Sequence, residues 1–225
     1  MANFHKILIL NILAILLLLN IAFGEPTEPL KVLITGFEPF GNHQINPTHE
    51  LMRFVRERPQ TVCSETLLVE AITLPVVYFA SWEVLEQKIA TFKPDVVIAF
   101  GYAANSKAIR IELIARNEDR GIADNQGNCH LGTIVAGGQE QYPSSLPVQE
   151  IQMALQTKNI AVITSQDAGG YLCNHIFYQL MCHASKKPDI QAGFIHIPLW
   201  QVPGDSGLLA TLQTLLNVLL NTRKP

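Results

Sequence analysis

The sequence predicts an α/β protein, a three-layer α/β/α sandwich with a mostly parallel, twisted central sheet. Three observations carry this. Short β-branched and apolar runs (LKVLIT, VEAITL, DVVIAF, AVITS, GFIHI) recur along the chain, and stretches with helical apolar spacing lie between them. Glycine and proline clusters separate the two kinds of segment, which is the signature of strands alternating with helices over a sheet covered on both faces. The 225 residues suffice for one such domain, and no compositional break divides it.

Met1–Gly24 reads as a targeting segment. His5 and Lys6 form a short positive end, Ile7–Phe23 is an apolar run broken only by Asn11 and Asn20, and Ala22-Phe23-Gly24 precedes a cleavage point before Glu25. Export to the periplasm or the exterior follows as the expectation, with 25–225 as a single α/β domain. The other reading is an uncleaved anchor, for which the run is short of the ~20 residues that span a bilayer.

Leu30–Thr35 is the first strand, and Gly36–Gly41 a loop with two aromatics, Phe37 and Phe40, continuing to Asn46. Pro47 and Thr48 open a helix with a buried stripe of Leu51, Phe54 and Val55 that ends near Arg58-Pro59. Val69–Leu74 is a second strand. Val76–Phe92 carries Phe79, Trp82, Leu85, Ile89 and Phe92 at spacings of three or four, a helix stopped by Pro94. Val96–Phe100 reads as a central strand and Ala108–Ala115 as another. Arg116–Gly132 is polar and reads as a long functional loop. Val148–Gln156 is a short helix. Ile160–Ser165 reads as a buried strand, Gln166–Gly170 as a tight turn, and Tyr171 onward as a helix with Leu172, Ile176, Phe177, Leu180 and Met181 on one stripe. Gln191–Ile197 is the last strand and Leu208–Leu220 a closing helix.

Net charge is −3 and the basic residues are scattered, which excludes nucleic acid as a partner class. The four cysteines, 63, 129, 173 and 182, contain neither a CxxC nor a metal spacing. Cys173 and Cys182 point to opposite sides of one helix about 13.5 Å apart along its axis, too far for a disulfide. Pairing of Cys63 with Cys129 stays open.

Cys173 carries the chemistry. In the first turn of a helix after a strand and a turn, free N–H groups and the positive dipole end stabilise a thiolate and a developing oxyanion. The bland reading is a small buried hydrophobe. A thiol nucleophile needs a base, and the base an orienter. His175, two residues on, points about 200° away, and His183 lies too far along the axis. His196 ends an apolar strand before Pro198 and reaches the sheet edge where Cys173 opens, although a satisfied core histidine is its simpler reading. His43, His49 and His130 lie in polar segments and read as surface residues. Glu112, embedded in AIRIELIA, is an acid that, if buried, needs a charged or hydrogen-bonded partner; the bland reading is a half-exposed strand residue paired to Arg110. Asp119, Asp124 and Asp167 read as polar-loop residues. A serine hydrolase finds no support, since no Gly-x-Ser-x-Gly occurs.

VLITGFEPFGNHQINPT, PDVVIAFG, the segment ending IRIEL, DNQGN, SQDAGGYLCNHIFY and GFIHIP follow one another in order. Together they resemble the pyroglutamyl-peptidase I (pyrrolidone-carboxylate peptidase) cysteine peptidases over about Val32 to Leu199. The resemblance implies a hydrolase that removes N-terminal pyroglutamate from peptides through a thioester, with Cys173, His196 and Glu112 as the catalytic triad. It implies that Phe37 and Phe40 sandwich the lactam, that Tyr171 lines the same pocket, and that Asn46 and Arg120 also touch substrate. No cofactor and no metal are implied; a homotetramer is an assembly the family often forms. Two departures stand out. The family's Ala-Arg-Ile-Pro-Asp-Asn element reads Asp119-Arg120-Gly121-Ile122-Ala123-Asp124-Asn125 here, one residue shorter from Glu112, so Arg120 takes the oxyanion-stabilising role from a shifted position or leaves it empty. Gly101-Tyr102-Ala103-Ala104-Asn105 stands where the family has Gly-Leu-Ala-Gly-Gly. The competing readings are a thiol hydrolase of the same fold with altered acyl specificity and a non-catalytic or weakly active binder of pyroglutamyl peptides.

Overall fold

A computed structural model describes residues 28–199 and 206–223, so the expected targeting segment, 1–24, lies outside the described residues. Strands β1 (Leu30–Phe37), β2 (Leu67–Leu74), β3 (Val96–Tyr102), β4 (Ile109–Glu112), β9 (Val162–Ser165) and β10 (Gln191–Ile197) form one sheet in the order β2-β1-β3-β10-β4-β9. The first four in that order are mutually parallel, while β4 is antiparallel to β10 and β9 runs with β4. Beside the sheet stand two small two-stranded sheets. One joins β5 (Ile114–Arg116) to β8 (Gln141–Pro143), the other β6 (Asp119–Ala123) to β7 (Cys129–Gly132).

Among the described residues, five α-helices cover the two faces: α1 (Pro47–Glu57), α2 (Ala80–Phe92), α3 (Val148–Thr157), α4 (Leu172–Ala184) and α5 (Ser206–Thr222). The strand period of two divides the core. Val32, Ile34, Val96, Ile98, Phe100, Ile109, Ile111, Ile195 and Ile197 meet α1, α3 and α5 on one side. Leu33, Val97, Ala99, Ala192 and Phe194 meet α2 and α4 on the other. The same parity puts Arg110, Glu112, His196 and Gly101 on the α2/α4 face, where the apolar stripe of α4, Leu172, Ile176, Phe177 and Leu180, is fully buried.

Four expectations are corrected. Ile160–Ser165 is not a buried strand: it shortens to β9 at the sheet edge, with Ile163 49% exposed. An apolar run looks alike in a central and an edge strand, because neighbours, not sequence, decide burial. Because β9 runs against β10, it ends level with Phe194 through Glu112, and the segment 166–171 turns back to start α4. Ala108–Ala115 breaks at Leu113 into β4 and β5. The loop Arg116–Gly132 is partly a hairpin, β6–β7, with Asp119 and Asp124 buried rather than in solvent. The helix expected from Val76 starts at Ala80, after Phe79 takes a left-handed φ of 62°.

Candidate active site

Asn46 begins the site's scaffold. It was expected at the substrate, but its side chain is spent within the fold: Oδ1 accepts from the Thr48 N–H and hydroxyl, and Nδ2 donates to the Glu38 carbonyl. It caps α1. Thr48 in turn accepts the Phe37 N–H, and a β-carbon at Gly36 would lie 2.5 Å from the Thr48 carbonyl oxygen, so only glycine lets helix and strand approach this closely. Phe37, expected against the lactam, is 3% exposed and belongs to the core. Phe40 is half-buried, with its ring centroid 6.2 Å from Tyr171, 6.4 Å from Tyr102 and 5.2 Å from His43. Asn125 fastens this aromatic loop by donating to the Pro39 carbonyl.

Cys173 lies in the first turn of α4, half-buried and packed against the same core cluster as Phe40 and Tyr171. A β-carbon at Gly101 would lie 2.7 Å from the Phe194 ring and 2.9 Å from Cys173 Sγ, so the sulfur rests on a strand surface left bare for it. Asn174 fixes the helix start: it accepts from the Arg116 N–H and donates to the carbonyls of Arg116 and Glu118. Burial, then the charges of Asp124 and Cys173, push Tyr171 up to about 12, so its phenol stays neutral beside the thiol.

His196 Nδ1 is 2.8 Å from Glu112 Oε1, and His196 lies opposite Gly101 in the sheet, the position against which Cys173 Sγ rests. Burial opposes the imidazolium, but the charge and hydrogen bond of the Cys173 thiolate, followed by Glu112, outweigh it and push His196 up to about 9. Glu112 is fully buried, and the Arg110 guanidinium, 3.0 Å from the same Oε1, also donates to Ser165 and to the Asp167 carbonyl. A buried carboxylate with both cationic partners is a compensated charge. Sequence reasoning set Arg110 aside as the partner of a half-exposed acid; the i, i+2 spacing on one strand face was the signal that joined it to Glu112.

Arg120 was expected in an oxyanion role. Its guanidinium is half-exposed and bonds Glu118 and Asp167, while its backbone N–H donates to the Gly170 carbonyl and its stem crosses Gly170 so closely that a β-carbon there would collide with it. A cleft of about 930 Å³ opens beside His196, walled by Tyr102, Arg110, Arg116, Ser165 and Asp167 among others. Arg116, missed in the sequence because the loop around it looked uniformly polar, is there because β5 ends at that wall. All four cysteines are free, Cys63 bonding the Val69 backbone and Cys129 lying exposed.

Residues 30–206 match a profile of the pyroglutamyl peptidase family. The chain is 36% identical over 172 residues to a pyrrolidone-carboxylate peptidase of Streptococcus pneumoniae, covering 75% of this chain and 78% of the relative. It is 40% identical over 171 residues to one of Bacillus cereus, covering 74% and 77%. The fold superposes on the crystal structure of pyroglutamyl peptidase I from Bacillus amyloliquefaciens with a TM-score of 0.76, at 29% identity over 85% of this chain and 97% of that one. A variant pyrrolidone carboxyl peptidase of Pyrococcus furiosus gives 0.79 at 32% identity, covering 87% and 100%.

Proposed function

The chain belongs to the pyroglutamyl peptidase family of cysteine peptidases, and from that premise we propose that Cys173, His196 and Glu112 cleave the bond after an N-terminal pyroglutamyl residue. The observation that carries the assignment is the His196 ring, held by buried Glu112 at 2.8 Å and paired in the sheet with Gly101, against which Cys173 Sγ rests. The Cys173 thiolate attacks the carbonyl carbon, forming the C–S bond and an oxyanion. Collapse breaks the C–N bond as the His196 imidazolium protonates the leaving amine. Neutral His196 then takes a proton from water, the hydroxide attacks the thioester, and the C–S bond breaks to release pyroglutamate. The thiolate–imidazolium pair is restored. Glu112 holds the ring through Nδ1, which leaves Nε2 for the sulfur and the substrate.

The unpaired N–H groups at the start of α4 face the developing oxyanion, with the positive charge of Arg120 beside Gly170. Phe40 and Tyr171 supply the flat walls that suit an uncharged lactam, and the cleft past His196 takes the leaving peptide. Tyr102, 6.4 Å from Phe40 and 5.3 Å from His43 between centroids, favours a narrowed acyl slot as a second reading. The experiment is release of a fluorogenic amine from its pyroglutamyl amide by reduced protein, beside amides of proline and glutamine. Turnover restricted to pyroglutamyl, and lost on iodoacetamide treatment and in Cys173→Ser, supports the assignment. Turnover of another acyl group alone favours the second reading, and full rate in Cys173→Ser refutes the nucleophile.

Export through Met1–Gly24 is part of the proposal, supported by the positive end and apolar run of that segment. Amino-terminal sequencing of protein from fractionated cells tests it: a mature chain starting at Glu25 outside the cytoplasm supports export, and an intact Met1 inside it refutes it.

A further inference from the structure

A second cluster of ligating side chains lies apart from the triad. Asp119 opens β6, His130 lies in β7, and His175 points from α4 away from Cys173. Nδ1 of His175 is 2.6 Å and Nδ1 of His130 is 2.8 Å from the same oxygen, Asp119 Oδ2, and one ligand atom from each of the three residues lies within 4.8 Å of the others. Asp119 is 2% exposed and His175 0%, with His130 partly covered. Asp119 Oδ1 is buried and has no hydrogen-bond partner among the described residues. A sunken carboxylate with one oxygen unsatisfied is a costly group, and a cation between it and two imidazoles removes that cost.

We propose that Asp119, His130 and His175 bind a divalent transition metal of the zinc class, with water in the fourth position. Zinc takes imidazole nitrogen and carboxylate oxygen at about 2.0–2.2 Å in a tetrahedron. That geometry sets ligand atoms about 3.3 Å apart, so the two N–O separations widen by about 0.7 and 0.5 Å, while the two nitrogens start within 4.8 Å of each other. Two imidazoles and one carboxylate suit zinc better than magnesium or calcium, which take all-oxygen shells. The surroundings fit as well. Gln179 Nε2 lies 3.0 Å from His175 Nε2. Turning that amide presents its oxygen to an Nε2–H, the outer partner a metal-bound histidine usually has. The Phe79 ring lies 5.0 Å from His130 and 5.1 Å from His175, and Tyr78 5.2 Å from His175, an aromatic cover over the site. The metal fastens the β6–β7 hairpin, which carries Arg120, to the helix that carries Cys173. Its role is structural, and the reaction runs without it.

The test is zinc titration of the full chain in Cys173→Ser, so that the nucleophile does not capture the ion. One equivalent bound, and a melting temperature raised by zinc, support the site. Adding His130→Gln, a partly exposed hairpin position, should weaken binding at least about tenfold and abolish the thermal shift, while His183→Gln in the same background changes neither. The cobalt form should show tetrahedral bands without thiolate-to-metal charge transfer. No stoichiometric uptake, uptake undiminished by His130→Gln in a protein with an unchanged far-UV spectrum, or a thiolate band from Cys129 each overturns the proposal.

Discussion

Replacing Glu112 by glutamine isolates what the buried charge does for His196. Glutamine has the same shape, and its carbonyl oxygen keeps the bonds that Oε1 now accepts from His196 at 2.8 Å and Arg110 at 3.0 Å. Its NH2 falls where Oε2 has no hydrogen-bond partner among the described residues, so nothing is evicted. Only the charge goes. A hydrogen bond to a charged group contributes about 1.5–3 kcal/mol against about 0.5–1.5 for a neutral one, and the difference, about 1.4 kcal/mol, is one pKa unit. The through-space attraction of two charges 4 Å apart, about 4 kcal/mol at an effective dielectric of 20, is an upper bound on the rest. Cys173 contributes more than Glu112 to holding the proton, so the fall stops short of an ordinary histidine. The alkaline limb of kcat/KM should therefore move from about 9 down by one to two units. The rate below that limb should drop about 10²–10⁴-fold, since a neutral orienter no longer stabilises the imidazolium. The assay is a pH–rate profile on the pyroglutamyl amide, with thermal melting to confirm the fold. A folded variant with the parent's rate and limb refutes this account of Glu112.

Three further outcomes follow from the same geometry. Gly101→Ala drives a methyl against Phe194 and Cys173 Sγ, so kcat/KM should fall more than about tenfold with a stability loss of about 1–3 kcal/mol; a parental rate would show that the sulfur does not rest there. Arg120→Ala should lower kcat about tenfold, less than the about 10²–10³-fold of a direct oxyanion donor, because its guanidinium is half-exposed and shared with Glu118 and Asp167; an unchanged kcat removes Arg120 from the mechanism. His196 binds its proton more tightly folded than unfolded, about 9 against 6.5. Its contribution is therefore complete below about 6.5 and is lost as pH rises through about 9, at most about 3 kcal/mol. Urea unfolding at pH 6.5 and pH 10 measures it, and greater stability at pH 10 than at 6.5 contradicts the sign.

The sequence by itself determined the strand–helix alternation and the last strand to the residue, and it offered the three members of the proposed triad as candidates that the family resemblance then singled out. The reason is that each signal is local. Period two and period 3.6 mark faces, glycine and proline mark ends, and a thiol at a helix start or an acid among isoleucines is unusual within its own neighbourhood. Burial of polar groups was not legible in the same way. Asp119, His130 and His175 looked like a loop acid, a surface histidine and a helix histidine, and Arg110 like a half-exposed strand residue, because each is ordinary beside its sequence neighbours. Only the tertiary structure, by folding the β6–β7 hairpin onto α4 and reversing β4 against β10, brought residues up to 84 positions apart to hydrogen-bond distance. Strand direction and edge position depend on which elements pack together, and no local period encodes them.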